Sequence, residues 1–509
     1  MTTLLDLPPE VLENILSEIT AYRPRPRRPF GPGPKWADMS RQWAVPRKHI
    51  RSLAEISLTC RQLRKVAEPI IWRHLKAIRG DEWFIGLLRL LEFRPDLARS
   101  VRTFSIFATL DHGFQDPITG DRRCFLVLLA ERLGVDLTDD WYNSDETPSV
   151  LAVLALLCTT QLQAVELVGS EDLDKFIPSP ERTPVRLSSL KHVRCGFVSG
   201  MNTFTSHFHK LMALASGFDT FEAGPGARVI MEDSSIWSNV TRLAFLGPEI
   251  DTENLVGIIR ACRQLRRFEF RAFQVEAEDI GKEEVSNSSV IAALAEKHAR
   301  TLAELRLGFV PMKRSWIPPC SRQTGPLGSL SAFTNLEALM LLGPDLTPGG
   351  ALRTIPQSLR VLGVCLSIRD IREEFEWLAA ERQAGSFPHL CHVGLDPWQC
   401  PHMQNPNRPP PNPQQRPRDC PYDMRGKSTF DLIESSKLVS GKWFGWKGAY
   451  ERVAKLLEPK LPSRPSQPVG ECKADFEWIS SIAQAGVPIT VCQRSQFGDQ
   501  YWYMGGRED

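Results

Sequence analysis

Zinc-ligand residue types gather in the last quarter of the chain: Cys391, His392, Cys400, His402 and Cys420 surround a proline-rich stretch. Zinc sites are built from closely spaced ligand pairs. Here Cys400 and His402 enclose one residue, and Cys420 lies eighteen beyond His402. No metal is expected there. Gly426-Lys427-Ser428 matches the end of a phosphate-binding loop, but Pro421 stands where the first glycine belongs, and no strand-like run precedes it. His207 and His209 flank Phe208, and on a helix side chains two apart do not share a face. The spacings H-E-x-x-H, G-x-S-x-G and G-x-G-x-x-G do not occur. The sequence therefore predicts no catalytic constellation, no cofactor and no metal.

Composition narrows the class. The chain is 42% hydrophobic and 24% charged, with a net charge of +2, which gives no global attraction to nucleic acid or membrane. Its longest clean apolar run, Val150 to Cys158, is too short to span a bilayer and predicts a buried helix. Asp6, Glu10 and Glu13 interrupt the start, so no secretory signal is expected. The twelve cysteines form no C-x-x-C pair. Together these predict reduced thiols in an intracellular protein, cytoplasmic or nuclear.

The elements come next. In MTTLLDLPPEVLENILSEIT, Pro8 and Pro9 suit a first helical turn, and Leu12, Ile15, Leu16 and Ile19 recur at helical spacing. A short amphipathic helix is predicted over 8–19. Residues 21–48 are rich in Pro, Gly and Arg and predict a disordered basic insertion. Helical patterning resumes over 50–76, where Thr59-Cys60-Arg61-Gln62 reads as a capping box with Thr59 as the cap, and Pro69 should kink or restart the helix.

From residue 101 a triplet of the form apolar-x-x-apolar-x-apolar recurs ten times. Val101/Phe104/Ile106, Leu162/Val165/Leu167 and Leu190/Val193/Cys195 begin the series, and Leu390/Val393/Leu395 ends it. Successive starts are 22 to 37 residues apart after a first gap of 61. The last two residues alternate as in a strand. Helical patterns, such as those over 255–262, 289–299 and 371–382, lie between. This alternation resembles the leucine-rich repeats, whose arrays bind partners on the face lined by strands. Residues at the x positions, Arg194, Arg242, Glu269, Arg306, Met340 and Gly363, are expected there, with Arg267, Phe273 and Trp398 as further anchors.

The stretches LPPEVLENILSEI at 7–19 and SLTCRQLRKVAEPIIWRHL at 57–75 together resemble the F-box. That resemblance implies a three-helix module docking the Skp-type adaptor of a cullin–RING ubiquitin ligase. The matching positions are Leu7, Pro8, Pro9, Leu12, Ile15, Leu16, Leu58, Cys60, Leu63 and Trp72. The family joins its two halves by a few residues, whereas roughly 30 intervene here. Closing such a loop costs only about 1–2 kcal/mol.

The chain is thus read as α/β, an N-terminal three-helix F-box followed by an irregular leucine-rich-repeat solenoid of alternating strands and helices. The expected divisions are 1–76 for the F-box, 77–396 for the repeats, 397–425 for a Pro-rich disordered loop and 426–509 for a C-terminal helical cap. The resemblance implies a non-catalytic receptor subunit that captures a protein substrate, with neither membrane nor nucleic acid as partner. A repeat scaffold without ligase function is the alternative, and an enzyme site in the C-terminal segment is a third.

Overall fold

A computed structural model describes residues 7–20, 47–77, 81–107, 118, 120–137, 141–143, 147–168, 173–196, 204–205, 209–224, 227–274, 284–311, 322–324, 326–342, 351–365, 372–396 and 489–491. Contacts divide them into two units. The first runs through Val285 and includes 310–322; the second holds the rest from Ser286 onward.

The first unit opens with helices α1 (Pro9–Thr20), α2 (Arg47–Thr59) and α3 (Arg61–Ile71). Leu16, Leu53, Ala67 and Ile70 form their common core, with Ile56, Val66 and Ile71 packed against it. None of the three helices is long enough to hold alone, so this shared core makes them mutually dependent. Arg73 ties the end of the module back to α1, donating to Ser17 Oγ at 3.1 Å and pairing with Glu13.

The α2–α3 boundary differs from the expected capping box. Thr59 is the last residue of α2, and its hydroxyl donates to the Ile56 carbonyl. The cap passes to Cys60, whose extended backbone lets its sulfur accept from Leu63 N–H at 3.5 Å. Pro69 does not restart α3. It sits in the last turn, and the helix continues through it to Ile71.

Residues 74–76, expected to continue the helix, instead belong to strand β1 (His74–Ala77). Next come α4 (Asp81–Phe93), α5 (Pro95–Ser100), β2 (Thr103–Phe107), α6 (Gly120–Leu133), α7 (Thr147–Cys158), β3 (Ala164–Val168), β4 (His192–Gly196), α8 (His209–Leu214), β5 (Thr220–Ala223), β6 (Arg242–Leu246), α9 (Thr252–Ala261) and β7 (Arg267–Gln274). Strands β1 to β7 pair in chain order, every pair parallel. A parallel pair requires a crossover connection, which the intervening helices and loops supply.

The apolar triplets explain the order. Their second and third residues, such as Phe104/Ile106, Phe221/Ala223 and Phe268/Phe270, face one side of the sheet and are buried. Their first residues, Val101, Leu162, Leu190, Phe218, Val240 and Leu265, are buried where the chain turns into each strand. Aromatic rings carry this core across neighbouring strands. Phe221 meets Trp237 edge-on at 5.0 Å, and Phe245 lies 6.1 Å from Phe221 and 6.4 Å from Phe268. Helix α7 contains the long apolar run, and residues Val150 to Leu157 are all buried. At the end of α6, Gly134 has φ 76°, and a Cβ there would meet the Arg182 carbonyl oxygen at 2.5 Å.

The second unit repeats the scheme with α10 (Asn287–His298), β8 (Glu304–Pro311), β9 (Ala338–Leu342), β10 (Val361–Cys365), α11 (Arg372–Gln383), β11 (His392–Asp396) and β12 (Ile489–Val491). Strands β8 to β12 also pair in parallel and in chain order. Each of the ten sequence triplets therefore falls on a strand. Helices begin where caps are available: Asp251 accepts from Asn254 N–H at 2.6 Å ahead of α9, and Ser286 accepts from Ser289 N–H ahead of α10. No described helix is long and apolar enough to cross a membrane.

The three-helix core makes a quantitative prediction. Leu53→Ala removes a fully buried side chain at the centre of α1, α2 and α3 and should cost about 2–5 kcal/mol. Hydrogen exchange should show amides of 61–71 losing protection, while those of β2 to β7 keep theirs.

Candidate functional site

Strand residues alternate between faces, so the residues between the apolar pairs all point to the other side of the sheet. In the first unit the register places Ser105, Glu166, Arg194, Glu222, Ala244 and Glu269 side by side in one row. This row crosses β2 to β7 and carries alternating charge at its centre. Arg194 is 3% exposed and lies 3.2 Å from Glu166 and 3.9 Å from Glu222. Ser105 donates to the other oxygen of Glu166 at 2.9 Å. His192, in the adjoining row, places Nε2 3.5 Å from Glu222. At the far end Glu269 is held by Arg267 at 3.0 Å and Arg271 at 2.6 Å.

Burial and charge oppose each other here. Burial lowers the proton affinity of the Arg194 guanidinium, and the charges of Glu166 and Glu222 counter it in part. For Glu222 burial works to raise the carboxyl, but His192 and Arg194 outweigh it and hold the group below the usual carboxylate range. Taking such ions out of water costs several kcal/mol each unless partners surround them. The row supplies those partners across strands that lie 22 to 61 residues apart in sequence.

A recess of about 250 Å³, counted to its open mouth, lies over this row, lined by Thr103, Ser105, Ala164, Glu166, His192 and Arg194. Glu166 spends one oxygen on Ser105 and the other on Arg194. At the edge of the same face His74 Nδ1 lies 2.7 Å from Thr103 Oγ1. Burial, reinforced by the Arg73 charge, lowers this imidazole to about 4.

Two thiols of this unit, Cys158 and Cys195, are inert at neutral pH. Burial, aided by Glu92 and opposed by Arg132, pushes Cys158 up to about 12, and burial pushes Cys195 higher still. No cluster of three His, Cys, Asp or Glu that could hold a metal ion occurs among the described residues. Cys400, His402, Cys420, Trp398, His207 and the Gly426-Lys427-Ser428 triplet lie outside them.

The expected binding residues divide sharply. Arg194 and Glu269, expected as solvated groups on the strand face, are each 3% exposed and locked into ion pairs. Neighbouring strands bring Glu166 and Glu222 to Arg194, whereas Glu269 is neutralised by Arg267 and Arg271 of its own strand. Met340 and Gly363 are buried too, and Arg306 is half-buried against Glu304. Arg242 is exposed, and Arg267 is half-buried. Glu166, His192, Glu222 and Arg271 escaped the sequence reading. For Glu166 and Glu222 a signal was there, because Glu, Arg and Glu follow one another at the last x position of three successive triplets.

In the helical module Leu12 and Leu16 are core. Leu7, Cys60, Leu63 and Trp72 are half-buried, and Pro8 and Pro9 are exposed. Ile15 is 39% and Leu58 84% exposed, and Val11 is exposed beside Ile15 on α1.

No protein-family model matches the chain, and no curated protein matches it either.

Two outcomes follow. Arg194→Met leaves Glu166 and Glu222 without their shared cation and should cost about 3–5 kcal/mol. Adding Glu166→Gln and Glu222→Gln should recover most of that loss in urea unfolding. For His74, the unfolded chain takes up a proton near pH 6.5, whereas the folded protein resists until about 4. Its contribution is complete above pH 6.5 and is lost as pH falls toward 4. Over that window the wild-type urea midpoint should fall more steeply than that of His74→Gln.

Proposed function

We propose that the chain is the substrate-recognition subunit of an SCF-type ubiquitin ligase. In this reading α1, α2 and α3 form an F-box that docks the Skp-type adaptor. The strand array that follows, a degenerate leucine-rich-repeat solenoid, captures the target protein. The subunit makes and breaks no bonds. It holds lysines of the target near a ubiquitin-charged partner and so raises their effective concentration.

One observation carries the proposal. The helices that carry the motif halves at 7–19 and 57–75 pack on one core with the rest of α2, yet apolar side chains at family adaptor positions stay outside it. Ile15 and above all Leu58 are exposed while Leu16, Leu53 and Ile70 close the interior. A large exposed leucine costs nothing in the packing of the module and suits a partner interface. Strands adding in parallel and in chain order, each with its buried triplet, support the repeat half of the reading.

The test is co-purification with the Skp-type adaptor, comparing wild type with Ile15→Asp/Leu58→Asp. Both side chains are exposed, so the variant should keep its helical content. Adaptor binding should weaken about thirtyfold or more, as for loss of a hot-spot side chain of about 2 kcal/mol. A folded wild type that binds no adaptor would sink the proposal and leave a repeat scaffold in its place.

A further inference from the structure

We infer that the rim of β6 and β7 carrying Arg242, Arg263 and Arg266 docks an anionic peptide segment of the captured protein. The inference rests on the target-capture half of the reading above, not on adaptor docking.

The backbone gathers these arginines. Arg242 and Arg267 are register partners on neighbouring strands. Arg266 and Arg267 both donate their backbone N–H to the Thr241 carbonyl, and Arg263 donates its own to Ser238. Four guanidiniums thus extend from two adjacent chain stretches, 238–242 and 263–267. Arg267 turns onto the sheet face and is neutralised by Glu269 at 3.0 Å. Arg242, Arg263 and Arg266 are exposed and have no carboxylate partner among the described residues.

Several exposed arginines elsewhere in the molecule are neutralised by acids. Arg51 pairs with Glu55, Arg132 with Glu92, Arg182 with Asp136 and Arg360 with Glu337. Arg242 and Arg267 face each other across the strands, a like-charge pair that Glu269 relieves only on the Arg267 side; an anion at the rim would relieve it on the other. The guanidinium fork fits carboxylate and phosphate oxygens in two-point contacts, and several adjacent forks read a short run of negative charge.

The extent of the rim selects a peptide over a nucleic acid. The unpaired charge spans only the start of β6 and the turn entering β7. Asp219 sits at the neighbouring position of the Thr241–Arg266 row, just ahead of β5, and Glu269 lies on the same sheet face as Arg242 but is taken by Arg267 and Arg271. A nucleic-acid backbone needs a longer basic stripe, whereas a segment with two or three acidic or phosphorylated residues matches this one. Carboxylate and phosphate share the required chemistry, and the experiment tells them apart.

The experiment titrates full-length protein into short fluorescein-labelled peptides and reads anisotropy. One probe carries glutamates, one phosphoserines at the same places, one glutamines, and a fourth is a single-stranded oligonucleotide. Wild type should bind the phosphoserine or the glutamate probe, or both, with affinity falling as salt rises, and should not bind the glutamine peptide. Arg242→Gln/Arg263→Gln/Arg266→Gln should weaken this about tenfold or more. Arg61→Gln/Lys65→Gln, which removes exposed charge from α3, should leave it unchanged. If the triple variant loses its folded circular-dichroism signature, the three single variants decide, each expected to weaken binding about threefold. Binding that the arginine variants do not alter, or binding of the oligonucleotide alone, overturns the inference. Adaptor co-purification on the same preparations separates the two readings. A wild type that binds adaptor but no anionic peptide overturns the rim site alone. One that binds the anionic peptide but no adaptor sinks the receptor reading and upholds the rim.

Discussion

A parallel strand cannot satisfy its own backbone. Every N–H and C=O on both its edges needs a neighbour that the chain must travel some distance to reach. Here the chain solves this step by step. The Arg73 carbonyl accepts from Arg102 and Thr103, the Arg102 carbonyl from Gln163 and Ala164, and the Gln163 carbonyl from Lys191 and His192. The same step recurs at Lys191, Asp219 and Thr241 and again at Ala303, Glu337 and Arg360. Each new strand finds its partner in the one just before it. Most other features follow from this rule.

The rule makes every strand two-faced. One face collects the apolar triplets and the rings of Phe221, Trp237, Phe245 and Phe268, and burial there supplies the hydrophobic stabilisation. The other face collects whatever the x positions carry. In the first unit these are Glu166, Arg194, Glu222 and Glu269, so closing the sheet also closes a set of charges. Their pairing with Arg194, Arg267 and Arg271 satisfies a requirement that the apolar face created. Such a row pins strand register, because a slip of one residue would turn each charge onto the apolar face. Charges left at the rim, beyond the reach of Glu269, are those free to meet another molecule.

The helical module obeys a different constraint. Three short helices share a small core, and Arg73 joins that core to α1 immediately before β1. The sheet therefore begins where the module ends, with no spacer between Ile71 and His74 beyond two residues. Apolar side chains that do not fit the small core, Ile15 and Leu58, are left outside it. In the proposed receptor, adaptor binding would stabilise the module by linkage.

Periodicity by itself determined much of this protein. Ten apolar triplets placed ten strands, and the spacing of Leu12 and Leu16, or of Leu255, Ile258 and Ile259, placed helices, because both signals are local. Other features needed neighbours distant in sequence. Residues 74–76 carry a helical pattern but become part of a strand, since β2 offers them a hydrogen-bonding edge. Thr59 reads as a cap, but its hydroxyl is taken by Ile56 and the role falls to Cys60. Arg194 and Glu269 read as solvated surface and are buried. For Arg194 the opposite charges come from the strands on either side, and only the tertiary register sets that; Glu269 is paired along its own strand, and the sheet around it decides that the pair is buried.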